Sequence, residues 1–206
     1  MKIWNLKQTV GFAIASFAMA SCSFLNPGPL PEVIVGQNAG ELRTKICELM
    51  DMAGTDSTQV EFAKIQTYFL YRPDDNTAST AIQIVSPEDK NKMMEYSWTD
   101  VKDRRNWREA NELVVSTRFD DDVIATYDGF KDVLFSYDDI RIYLDNLPTY
   151  CKEALEASGY KDKGYISYFT IDKSSGAEVT VSYKDDTSLS KTYSIAPDGK
   201  HIIIPD

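Results

Sequence analysis

The same order of elements is written twice in this chain, and that order constrains the fold more than any other feature. Leu42, Ile46, Leu49 and Ala53 fall at helical spacing over Ala39 to Ala53. Gly54 follows, placed to close the helix. Lys64 to Tyr71 then has the aromatic and β-branched content of a strand. The turn cluster Pro73-Asp74-Asp75-Asn76 leads to a strand at Thr80 to Val85, and Pro87 to Asp89 leads to another at Met93 to Trp98. Glu112 to Thr117 reads as a fourth strand. In the second half, Ser136 and Asp139 form a capping pair ahead of Ile140, Tyr143 and Leu144. Pro148 is expected to break or restart that helix, whose stripe continues through Leu147, Cys151, Ala154 and Ser158 to Gly159. Strands are predicted at Tyr165 to Ile171, Glu178 to Tyr183, Leu189 to Ile195 and His201 to Ile204. Their turn signals are Lys173 to Gly176, Asp185-Asp186 and Pro197-Asp198-Gly199.

Overlaying the halves brings Tyr68-Phe69 onto Tyr168-Phe169, Ile82 and Ile84 onto Val179 and Val181, and Tyr96-Ser97 onto Tyr193-Ser194. The expectation is an α+β fold of two tandem units, each a helical element on an antiparallel β-meander. The units span 39–118 and 135–206, with 119–134 as connector. At the level of topology this resembles PepSY-like domains, the tandem β-lactamase inhibitory protein and small BamE-type lipoproteins. The resemblance implies a binding module and carries over no functional residue.

The opening of the chain gives an address. Lys2 and Lys7 precede an uncharged, mostly apolar run, Val10 to Ala20, that is too short to span a bilayer. Such a start before small residues has the form of an export signal. Met19-Ala20-Ser21-Cys22 resembles the lipobox of bacterial lipoproteins, with Met19 where Leu is commonest. That resemblance implies cleavage of 1–21 and acylation of the Cys22 thiol, which becomes the first residue of the mature chain. Residues 22–38, with Pro27, Pro29 and Pro31, form an extended tether. The same resemblance implies the outer membrane, since Ser23 stands where lipoproteins retained in the inner membrane often carry Asp. Some surface-exported lipoproteins carry acids just after the cysteine; here the first acid is Glu32, so the resemblance implies the periplasmic face.

Removing the two leader lysines takes the formal net charge from −10 to −12. That sign argues against nucleic acid as a partner and against adsorption on anionic lipid, so the lipid does the anchoring. The usual catalytic constellations are mostly missing from the sequence, and although a glycosidase-type acid pair is spatial and so stays open, nothing singles out two of the 32 acids. His201 is the sole histidine, and no glycine-rich phosphate loop appears. Asp120-Asp121-Asp122 lacks the spacing of a calcium loop and reads as a solvated connector. No cofactor and no metal site are expected.

Cys47 and Cys151 lie in the helical elements of the two halves, where they either form a disulfide or pack as small apolar thiols. One segment departs from the repeat. Thr99 to Glu109 reads as an insertion in the first half, with Arg104, Arg105 and Arg108 around Trp107 in an acidic protein. Arg and Trp are the residue types enriched at interface anchors. The alternative is a surface helix whose Trp107 covers the core while its arginines pair with local acids. The functional expectation is a non-enzymatic outer-membrane lipoprotein, serving as a protein-binding accessory subunit of an envelope complex through Arg104, Arg105, Trp107 and Arg108. The alternatives are a periplasmic inhibitor or immunity-type protein, and a lipid-anchored hydrolase using acidic residues.

Overall fold

A computed structural model describes residues 39–71, 77–101, 104–117 and 120–205. The leader, Cys22 and the tether lie outside the described residues, as does the turn at 73–76. The chain opens with helix α1 (Ala39–Met52), followed by strands β1 (Phe62–Leu70), β2 (Thr77–Val85), β3 (Met93–Val101) and β4 (Arg104–Leu113). A small hairpin, β5 (Ser116–Thr117) and β6 (Asp120–Ile124), precedes a one-turn helix α2 (Tyr127–Phe130) and a 3-10 turn at Lys131–Val133. Helix α3 (Tyr137–Ser158) then leads to β7 (Gly164–Asp172), β8 (Gly176–Tyr183) and β9 (Asp186–Ser194). The fold is α+β.

The two meanders merge into one seven-stranded antiparallel sheet of order β4-β3-β2-β1-β7-β8-β9. They join where β1 pairs with β7, with Tyr68 opposite Tyr168. The expected units therefore share a sheet, and they match only loosely. Within the hairpins the sequence overlay corresponds, since Ile82 faces Tyr96 and Val179 faces Tyr193. Against the first strand it slips: Ile82 lies opposite Ile65, whereas Val179 lies opposite Phe169. Phe169 is the counterpart of Phe69, so the second hairpin is displaced by two pleats, which leaves every side chain on its own face.

Both helices pack on one face of the sheet, α1 on β2 and β3, α3 on β7 and β8. Leu42, Ile46, Leu49 and Met50 of α1 are buried there with Ile65, Phe69, Ile82, Ile84, Tyr96 and Trp98 of the sheet. Leu144, Leu147, Cys151 and Ala154 of α3 are buried with Tyr165, Phe169, Val179, Val181 and Tyr193. Arg43 of α1 is buried against Asp145 of α3, an ion pair that ties the helices together. The Ser136–Asp139 capping box opens α3, and Gly159 closes it at φ 74.

Four local expectations need correction. Helix α3 runs through Pro148 without a break. Proline removes one helical hydrogen bond, but the buried stripe Leu144, Leu147, Tyr150, Cys151 and Ala154 holds the helix on both sides of it. The fourth strand is β4, beginning at Arg104 and ending at Leu113, so the segment read as an insertion or surface helix is strand. Thr117, assigned to that strand, pairs instead with Asp120 in the separate hairpin. The last segment forms only a bridge, Ile195 to Ile202, and is held to α3 by the Gly199 carbonyl, which accepts from Asn146 Nδ2 at 2.9 Å and from the Tyr150 hydroxyl.

Candidate interaction surface

Strand alternation sends half of the sheet's side chains away from the helices. On the helix side, Arg108 stands opposite Trp98 and donates to Glu48 of α1 at 2.5 Å. Lys45 of α1 lies over the Trp98 ring at 3.7 Å from its centroid. Trp107, one position away, therefore points to the other face, where it stands opposite Thr99 and is 48% exposed.

The connector covers one end of that second face. Phe130, Leu134 and Ala125 pack there on Val85 and Met93, with Leu113 and Tyr127 at the margin. The rest carries hydroxyls and aromatic rings, of which Ser79, Thr170 and Ser182 are buried. Ser79 and Thr99 are 3.2 Å apart, Thr180 and Thr192 are 2.9 Å apart, and Ser182 donates to Ser167 at 2.7 Å. Near the middle, the Tyr168 hydroxyl donates to Gln66 Oε1 at 3.1 Å, and Tyr68 is 40% exposed. Tyrosine, serine and threonine at low rotamer cost make good adaptable contacts.

Of the four residues the sequence singles out around this segment, Arg104 and Arg105 open β4, Trp107 faces the uncovered side and Arg108 faces the helices. They share a strand but not a face. Arg108 meets a local acid, as the surface-cover alternative expects, while Trp107 is too exposed to be core cover. The hydroxyl face itself was missed in the sequence, although the alternating hydroxyls Ser190, Thr192 and Ser194 of β9 were there to find.

Cys151 is a free, buried thiol, so the candidate Cys47–Cys151 bridge is not made. Burial pushes its pKa well above the ordinary thiol range, which leaves it inert at neutral pH. Among the described residues no group of His, Cys, Asp and Glu is arranged to hold a metal ion. No described helix is long and apolar enough to cross a membrane.

One cleft of about 430 Å³ lies beside α3, lined by Phe135, Ile140, Tyr143 and Ile171 with Asp139 and Asp172 at its rim. Both carboxylates are committed to hydrogen bonds. The backbone N–H and hydroxyl of Ser136 hold Asp139 below the usual range. At Asp172 burial opposes ionisation, but the hydroxyls and N–H groups of Ser174 and Ser175 outweigh it and bring the pKa down to about 2. Two carboxyls kept ionised do not supply the general acid that hydrolysis of a glycoside requires.

No known family, no curated protein and no solved structure matches the chain.

Proposed function

We propose that the chain is a non-enzymatic lipoprotein of the bacterial outer membrane, anchored through Cys22, whose αβ body docks a protein partner as an accessory subunit of an envelope complex. The observation that carries the reading is Trp107, a half-exposed tryptophan on an edge strand with arginines at its start. Tryptophan and arginine are the residue types enriched among the side chains that carry binding energy at interfaces. A second reading, an inhibitor or immunity-type protein, is favoured by the hydroxyl face around Tyr68, which suits recognition of a large protein surface.

Two experiments test the proposal. Intact mass of the mature chain should show acylated Cys22 as its first residue; an unmodified Cys22 there would end the anchor. Affinity capture from detergent-solubilised envelopes should weaken about tenfold or more in Arg104→Ala/Arg105→Ala, because anchor residues at an interface contribute about 2 kcal/mol or more. The melting temperature should stay nearly constant. Intact capture by that variant would reject the β4 interface.

A further inference from the structure

The two ends of the sheet differ in composition and in charge. Strand β7 begins where β8 ends, with Gly164 opposite Tyr183. Strand β1 ends beside them, where the Tyr71 and Tyr165 rings are 5.9 Å apart. Helix α3 finishes at the same place, since the Ser158 carbonyl accepts from Lys191 Nζ at 2.7 Å. Three tyrosines there each hold a lysine ammonium over the ring: Lys184 on Tyr71 at 5.8 Å, Lys191 on Tyr160 at 5.3 Å and Lys163 on Tyr183 at 5.9 Å. Tyr160 and Tyr183 lie 5.3 Å apart and line a hollow of about 370 Å³ with Lys161 and Leu189. Lys161 is exposed, and so is nearly half of Leu189. Lysine and tyrosine, apolar along the stem and polar at the tip, are side chains suited to a membrane surface.

Charge divides along the same axis. The loops 159–164 and 183–191 carry four lysines and three aspartates. At the opposite end, segments 51–61 and 127–139 carry seven acids and one lysine. Nine-residue strands separate the two ends by roughly 27 Å, several times the ~8 Å over which salt screens a charge. The acids of the far end therefore do not cancel the lysines. The start of the described chain lies on the lysine side. Thr55, just past α1, lines a hollow with Ser86 and Pro87 of the β2–β3 turn, so α1 runs towards the acidic end and begins away from it. Residues 22–38 join the chain at that beginning, Ala39. From these observations we propose that the lysine–tyrosine end faces the anionic phospholipid surface of the leaflet that holds the lipid on Cys22, with the acidic end turned away. The net charge opposes adsorption of the whole body, so the lipid attaches the protein and this end sets its orientation. The proposal rests on the reading of Cys22 as the anchor and not on the β4 interface.

The test places the full lipidated chain on vesicles of phosphatidylethanolamine and phosphatidylglycerol whose headgroups carry a nitroxide quencher. A fluorescent amino acid stands in place of Thr187 at the lysine–tyrosine end or of Asp132 at the acidic end, both exposed. Flotation with the vesicles reports attachment. Quenching should be about fivefold or more stronger from 187 than from 132. A lysine near an anionic surface is worth about fivefold in partitioning, so Lys161→Glu should lower quenching from 187 by about that factor or more. Lys161→Glu/Lys184→Glu should lower it further, with melting curves showing that both variants fold. Equal quenching from the two positions on a chain that floats overturns the proposal alone, as does quenching from 187 that ignores the reversals. A chain that fails to float would end the anchor reading and this proposal with it. Weaker capture of an envelope protein from detergent by Lys161→Glu would give the surface to that protein and overturn the proposal.

Discussion

Trp98 and Trp107 sit on the two strands of one hairpin, pointing to opposite faces, and replacing each by alanine should separate a core residue from an interface residue. Trp98 is 6% exposed, packed in the main core with Lys45 over its ring. Removing a buried tryptophan costs about 3–5 kcal/mol through lost transfer energy and the cavity left behind. For Trp107, 48% exposed, about half of a tryptophan's area leaves water on folding. At about 25 cal/mol per Å² that half is worth at most roughly 3 kcal/mol. Unfolded chains already bury some of this surface and alanine keeps part of it, so the expected cost is about 1–2 kcal/mol. At about 2–4 °C per kcal/mol for a chain of this size, Trp98→Ala should lower Tm by about 10 °C or more and Trp107→Ala by about 5 °C or less. Calorimetry of the mature chain gives the comparison. Equal losses would refute the assignment of Trp107 to the uncovered face and return the segment to structural cover.

Other consequences follow from single sites. Gly199 has φ +62, and a Cβ there would come within 2.8 Å of Ile142 Cγ1. Gly199→Ala should therefore cost about 1–2 kcal/mol, mostly from the left-handed backbone since Ile142 can shift. Gly199→Asn should cost less, and a neutral alanine would contradict the turn geometry. Asp172 has a folded-state pKa of about 2, below its unfolded value, so its contribution is fully present above about pH 4 and lost as pH falls towards 2. The difference in Tm between the wild type and Asp172→Asn should shrink across that window, and a constant difference would show that the Ser174–Ser175 turn does not favour the carboxylate. Cys151 is fully buried, so a thiol reagent should label it only as fast as the chain unfolds. Rapid native labelling would show that α3 opens locally.

Much of the fold was legible because periodicity marks burial. The α1 stripe, the capping box at Ser136 and the glycines ending both long helices were readable from spacing alone, since each meets a local physical requirement. What was not legible depended on partners far away in sequence. Nothing local says that β1 would pair with β7 and fuse the meanders, or that the second hairpin would slip by two pleats. The Arg104–Leu113 strand lacks β-branched residues, and its charges suggested an insertion or a surface helix. Pairing with β3 overrode that propensity. The same charges made the segment noticeable, so the candidate was picked out for its composition while its conformation was misread. Pro148 failed as a helix breaker because tertiary burial outweighed one missing hydrogen bond.

On the proposed function, this protein meets its partner on the β4 side and hydroxyl face of the sheet. The helices would stay outside the contact. Site-specific photo-crosslinking in intact cells measures that directly, with a photoreactive side chain placed in turn at Trp107, at Tyr68 and, on the outer surface of α3, at Lys152. Crosslinked adducts of defined mass should form from position 107, more weakly from 68, and not from 152. Adducts from 152 with none from 107 would contradict the account.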